Sequence, residues 1–200
     1  MSSKKSSLSK STLIRSIQCS KSLYLYKNNF NLRDKPSTVQ QQRFDRGHRI
    51  GKLAHQLFPN GKDCSPPNPF SYDESIAATK LLVQQQFPII YEAAFKYNGI
   101  MVALDILENK NGKWYAHEVK SSFRISNTYL LDAAIQYYII TKSGVALEDF
   151  SIVTIDNEYV LQDELEIPSY FKITSVLEEI KERIPFVEKT IEDAITTLES

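Results

Sequence analysis

The chain has 200 residues, a hydrophobic share of 42% and equal numbers of basic and acidic side chains, 24 of each. This length suits one compact domain with a real core, and no run approaches the ~20 apolar residues of a membrane span. The Ser- and Lys-rich opening, residues 1–10, lacks the apolar centre of a secretory signal. Two cysteines, Cys19 and Cys64, do not make a disulfide framework, so a reducing cytoplasm is the expected compartment. The zero net charge hides segregation. Residues 1–35 carry +7 and residues 36–72 carry +3, while residues 145–200 carry −10. Either the basic third meets phosphates, or both ends are solvated helix faces.

In chain order, Ser9 opens a helical pattern through Leu13, Ile14, Ile17, Leu23, Tyr24 and Tyr26, ended by Asn28, Asn29 and Asn31. A second helix is expected from Thr38 to Phe58, stopped by Pro59-Asn60-Gly61. The stretch Cys64–Tyr72 holds three prolines and reads as a loop. A third helix, capped by Ser71 or Asp73, runs to Gln86. The period then changes. Ile89–Tyr97, Met101–Glu108 and Lys113–Ser121 read as strands, joined by Asn98-Gly99 and by Asn109–Gly112. Ser126–Lys142 is a helix ended by Ser143-Gly144. Phe150–Ile155, rich in β-branched residues, is a fourth strand. Ile173–Leu198 reads as an acidic helical region that Pro185 kinks or splits. There is no internal repeat. Helices, three antiparallel strands, a helix and a strand make an α/β fold with a mixed sheet flanked by helices. The helix crossover allows the third and fourth strands to be parallel.

Asp105 sits inside the apolar run Val102-Ala103-Leu104-Asp105-Ile106-Leu107. A carboxylate there is costly to bury unless it is paired, hydrogen-bonded or bound to a metal. On the next strand, Glu118 and Lys120 stand at i and i+2 and share a face. With the turn near Lys110-Asn111, Asp105 faces residue 116 and Glu118 is a diagonal neighbour, to within one or two residues. Two carboxylates and one ammonium then converge. Metal-assisted phosphodiester hydrolysis needs such a set: hard Mg²⁺ takes carboxylate oxygens, the metal acidifies a bound water, and a lysine stabilises developing charge. The plainer alternatives are an Asp105 on the wet face and a cross-strand salt bridge of little consequence.

Asp105, a hairpin and Glu118-Val119-Lys120 resemble the catalytic signature of the PD-(D/E)XK nuclease superfamily. Four further elements resemble its RecB-like branch. They are Gly51-Lys52-Leu53-Ala54-His55-Gln56-Leu57, Glu92 within Ile90–Phe95, Gln136-Tyr137-Tyr138, and the opening Leu8-Ser9-Lys10-Ser11…Gln18-Cys19-Ser20-Lys21. That opening is similar to CRISPR-associated RecB-like exonucleases and closer to an uncharacterised bacterial RecB-like nuclease family. The resemblance covers residues 8–160 and implies a restriction-endonuclease-like αβββαβ core. Around that core it places a helical arm over residues 8–60, a catalytic core over 86–160 and an acidic C-terminal helical region over 172–198, all in one nuclease domain.

The resemblance also implies roles. Asp105, Glu118 and the main-chain carbonyl of Val119 would bind Mg²⁺ or Mn²⁺, and Lys120 would activate the attacking water. His55 would add a ligand or phosphate contact, with His48 as its competitor, and Glu92 would support a second metal position. Gln136 would brace Lys120 or the DNA backbone. Lys21, Tyr24, Arg43, Tyr137 and Tyr138 would contact DNA, and the aromatics Tyr24, Tyr26 and Phe30 would stack on unpaired bases or fill the core. The expected activity is hydrolysis of DNA from single strands or ends, with a catalytically degenerate nucleic-acid-binding scaffold as the alternative. Departures from the pattern are Val102, Leu104 and Ile140, the last where a tyrosine is usual. Many relatives hold an iron–sulfur cluster on four cysteines. Here Cys19 alone stands at a matching position and no cysteine follows Cys64, so this chain does not complete a cluster by itself.

Overall fold

A computed structural model gives the fold and describes residues 8–29, 31, 33–68 and 71–199. Phe30 lies outside the described residues.

The chain opens with a short strand, β1 (Leu8–Ser9), followed by α1 (Lys10–Gln18) and α2 (Ser20–Asn28). Ser9 caps α1 by accepting the Thr12 N–H. The expected single helix is broken at Cys19, whose backbone is extended (φ −167°, ψ 116°). The break leaves Leu13 and Leu23 both fully buried in one core.

Next comes α3 (Thr38–Ala54), opened by a full capping box between Ser37 and Gln40. It ends earlier than expected. His55–Leu57 form a single 3-10 turn, because the residue before Pro59 is driven out of the helical region. A two-residue strand, β2 (Lys62–Asp63), and α4 (Tyr72–Gln84) follow. Ser71 precedes α4 without a side-chain cap bond.

The centre is β3 (Ile89–Tyr97), β4 (Ile100–Lys110), β5 (Lys113–Lys120), α5 (Asn127–Lys142) and β6 (Leu147–Ile155). With α4 before it, this is the αβββαβ core. Ser126 caps α5 through the Tyr129 N–H. Both hairpin turns are Asn-Gly, with positive φ at Asn98, Gly99, Asn111 and Gly112, as a two-residue turn matched to strand twist requires. The second turn is therefore centred on Asn111-Gly112, and Lys110 pairs with Lys113. The register shifts by two residues from the expected one: Ile106 pairs with His117, which brings Asp105 level with Glu118 instead of residue 116.

Beyond β6 the sequence reading misses a strand. Phe171–Ser175 form β7, antiparallel to β6, after a short α6 (Ile167–Tyr170). Only α7 (Leu177–Lys181) and α8 (Ile184–Glu199) are helical in the acidic region. Pro185 is the second residue of α8, where a missing N–H costs nothing, so the region is split just before it into α7 and α8 and is not kinked at it.

Among the described residues, the sheet has seven strands in the order β2-β3-β4-β5-β6-β7, with β1 parallel to β4. The β5–β6 pair is parallel, as the helix crossover allowed. A large core lies against α1, α2, α5, α7 and α8 and includes Leu104, Ala116, Ile135, Ile139 and Phe150. A smaller one holds Phe58, Tyr91, Ile106, Val153 and Phe171. Alternation between the two breaks at one row. Ile90 and Leu107 pack in the large core and Tyr91 and Ile106 in the small one, yet Ala93 and Leu104 return to the large one. The row between them is Glu92 and Asp105.

Candidate active site

The strands carry three carboxylates to one level of the sheet. The β3–β4 register runs through Tyr91↔Ile106 and Ala93↔Leu104 and sets Glu92 opposite Asp105, although these two complete no ladder pair. The β4–β5 ladder stops at Ile106↔His117, and Glu118 is the next residue along. Glu92 holds φ 51°, a left-handed backbone that a non-glycine residue adopts at a cost of about 1–3 kcal/mol. Where β4 and β5 part, the freed Val119 N–H donates to Asp105 Oδ2 at 2.6 Å.

Two lysines face this row. Lys120 reaches Glu118 Oε1 at 2.8 Å and Asp132 Oδ2 at 2.5 Å. Lys10, the first residue of α1, reaches the same Glu118 Oε1 at 2.9 Å and Asp132 Oδ1 at 3.1 Å. The four side chains form a ring of alternating charge. Lys120 also lies 5.2 Å from the Tyr129 ring centroid.

The electrostatics follow from that geometry. Burial, then Glu118 and Asp63, push the Glu92 carboxyl up to about 7. Burial, then Glu118 and Glu92, push Asp105 well above the usual carboxylate range. Burial acts the same way on Glu118, but Lys10 and Lys120 outweigh it and hold it well below that range. For Lys10 and Lys120 burial opposes the charge, and Glu118 and Asp132 overcome it, so both ammoniums are held above their ordinary value.

The row forms the base of a cleft of about 810 Å³, walled by the α3 face that carries Arg43, Phe44, Gly47, His48, Gly51 and Lys52. His55 lines it too, but its ring lies flat on Tyr91 at 3.8 Å, and burial lowers its pKa. The Tyr91 hydroxyl accepts the Gly61 N–H and donates to the Phe58 carbonyl.

Thus Glu92, Asp105, Glu118, Val119 and Lys120 come together, with His55, His48 and Arg43 on the same cleft. The others do not. Gln136 is fully buried, and neither amide atom has a partner. Asp132, one turn earlier on α5, holds Lys120 instead. Tyr138 packs edge-on to Tyr97 at 6.1 Å, and Tyr137 lies partly buried against the large core. Lys21 and Tyr24 are exposed on α2, away from the cleft lining. Sequence reasoning missed Lys10 and Asp132 as site residues. The signal for Asp132 was a lone acid in the apolar run Leu130–Ile135. For Lys10 it was an ammonium at a helix N-terminus, where the dipole disfavours it.

Among the described residues, no three His, Cys, Asp or Glu side chains already converge as a coordination set. The donor chemistry still fits a hard divalent cation. Glu118 Oε2 is buried with no partner, and Asp105 and Glu92 repel it and each other until positive charge is supplied.

Fold and site together define an α/β architecture, a mixed seven-stranded sheet flanked by helices, with a carboxylate–lysine centre on its middle strands. A candidate exonuclease from Eubacterium rectale superposes with a TM-score of 0.53 at 14% identity, over 98% of this chain and 82% of that one. The match shows a shared fold. An alkaline exonuclease from Laribacter hongkongensis, LHK-Exo, is similar over 96% of this chain and 91% of its own, with 10% identity and a TM-score of 0.49. No family model and no curated protein matches this sequence. Among the described residues, no helix is long and apolar enough to cross a membrane.

Proposed function

We propose that this chain is a divalent-metal-dependent nuclease of the RecB-like branch of the PD-(D/E)XK superfamily, hydrolysing DNA phosphodiester bonds from single strands or ends. The observation that carries the reading is the row Glu92–Asp105–Glu118, with Lys120 two residues on, at the base of an open cleft in this core.

Asp105 and Glu118, with the Val119 carbonyl, would hold Mg²⁺ or Mn²⁺, and Glu92 and His55, which line the same cleft, would support them. When bound, the ion polarises the phosphate and makes water acidic enough to attack. Lys120 stays charged and orients that water or offsets charge building on the phosphate. Asp132 fixes the Lys120 ammonium by a charge-assisted contact. The Val119 N–H holds one Asp105 oxygen, leaving the other free to the cleft. Arg43 and Lys52 on α3 supply positive charge along the wall where a strand's phosphates would run. The candidate exonuclease that shares this fold supports the reading of end-directed cutting.

The test uses 5′-labelled single- and double-stranded DNA beside circular single-stranded DNA, in Mg²⁺, Mn²⁺ and EDTA. Linear strands should shorten stepwise in metal, with circles intact. Nicked circles would overturn end-directed action, and no cutting of any substrate would overturn the nuclease reading.

A further inference from the structure

Lys10 has no place in the chemistry set out above, yet it is held at its centre. Three features fix it. Leu8 and Ser9 pair in parallel with Ile100 and Met101, on the edge of β4 that β5 has left. Ser9 then caps α1, which makes Lys10 the first helical residue. Leu8, Thr12 and Leu13 are all buried around it. A lysine at this position opposes the helix dipole, so the local preference of α1 does not account for it. What it gains lies in the sheet: Glu118 Oε1 at 2.9 Å and Asp132 Oδ1 at 3.1 Å. Local preference set aside for a tertiary contact is the mark of a functional position.

Two-metal nucleases place their second cation close beside the first, sharing carboxylate ligands with it. The Lys10 ammonium occupies a place of that kind. It shares Glu118 with the proposed ion and takes its other contact from Asp132, opposite Lys120. Formal charge agrees. With all four carboxylates ionised, as metal binding requires, Glu92, Asp105, Glu118 and Asp132 against Lys10 and Lys120 leave two negative charges, which one divalent ion neutralises. A second ion would leave the centre with excess positive charge and would have to displace a tethered ammonium.

We infer that Lys10 is a built-in cation standing in for a second metal, so that this centre takes one divalent ion. The inference rests on the nuclease reading for the first ion, and the metal count separates the two. Mn²⁺ is titrated into EDTA-stripped protein, with free Mn²⁺ followed by electron paramagnetic resonance and heat by calorimetry. Wild type should bind one Mn²⁺ per chain, and Asp105→Ala should lose it. Lys10→Met should bind two, and Lys10→Arg, which keeps the charge, should bind one. Two ions in wild type, or one in Lys10→Met with a circular dichroism melt like wild type, overturns the role of Lys10 and leaves the nuclease reading standing. No ion in wild type overturns both. If Lys10→Met does not fold, the counts for wild type and Lys10→Arg decide.

Discussion

Glu92 and Asp105 face each other across β3 and β4 at a row where neither completes a ladder pair, and Glu92 holds a left-handed backbone there. The break in alternation at this row sets two carboxylates beside Glu118 on a sheet with an apolar core against each face. Strain and like-charge repulsion are concentrated where the chemistry is proposed, a pattern common to active sites.

That repulsion sets a pH dependence. The Glu92 carboxyl is pushed up to about 7 in the fold, against an ordinary value of 4.5. Its folded value is raised, so between those values the native state binds more protons than the unfolded chain. Stability from this group is therefore present at low pH and lost as pH rises through about 5 to 7, by about 1–3 kcal/mol in all. Asp105 acts with the same sign. In EDTA, the melting temperature should fall between pH 5 and pH 8, and Glu92→Gln should flatten the fall. Saturating Mn²⁺ should reverse it, since an ion at 100 times its Kd adds about 2.7 kcal/mol.

Asp105→Asn should stabilise the metal-free protein. It removes a charge that burial, Glu118 and Glu92 all oppose, and it keeps an oxygen to accept the Val119 N–H. A higher melting temperature than wild type at pH 8 is expected, with stabilisation by Mn²⁺ lost. Paired melts with and without Mn²⁺ check it, and a variant less stable than wild type in EDTA would contradict the electrostatic account.

Asp132→Ala and Asp132→Asn should separate positioning from folding. Alanine leaves Lys10 and Lys120 sharing only Glu118 and should cost about 3–5 kcal/mol, as broken buried ion pairs do. Asparagine keeps an oxygen acceptor and the shape. Its cleavage rate should fall about 10–100-fold, as for other supporting contacts, with a KM near that of wild type. Steady-state kinetics on a labelled oligonucleotide measure both.

Gly61→Ala reaches the site from outside. A Cβ at Gly61 would meet the Tyr91 ring at 2.3 Å. Since that ring carries the stacked His55, the substitution should cost about 1–3 kcal/mol and disturb the His55 NMR resonances. A melt and spectrum like wild type would contradict the packing.

Much of this architecture is legible in the sequence because its signals are local. An Asn-Gly turn marks the first hairpin, the Asn109–Gly112 run places the second to within two residues, apolar runs mark β3 to β5, β-branched residues mark β6, and Ser126 marks the start of α5. Asp105 stands out as a charge in an apolar strand, and Glu118 and Lys120 as an i, i+2 pair at the end of the next. The rest depended on long-range partners. The exposed β7 has only Phe171 buried and draws its order from β6. The extended residue at Cys19 serves the core, with no breaker in the sequence to announce it. Lys10 lies 108 residues from Glu118, and only the pairing of β1 with β4 brings them together. Gln136 reads as a brace by its position in a motif, whereas the helix turns Asp132 toward Lys120.

The most direct measurement is cleavage of end-labelled single-stranded DNA in Mn²⁺ by wild type and by Lys120→Ala, at matched folded fractions. The account predicts cutting by wild type that EDTA abolishes, and a loss of at least about 100-fold in the variant. Equal rates in the two proteins, or a wild type that binds Mn²⁺ and DNA without cutting, would contradict it and favour a scaffold built on this fold.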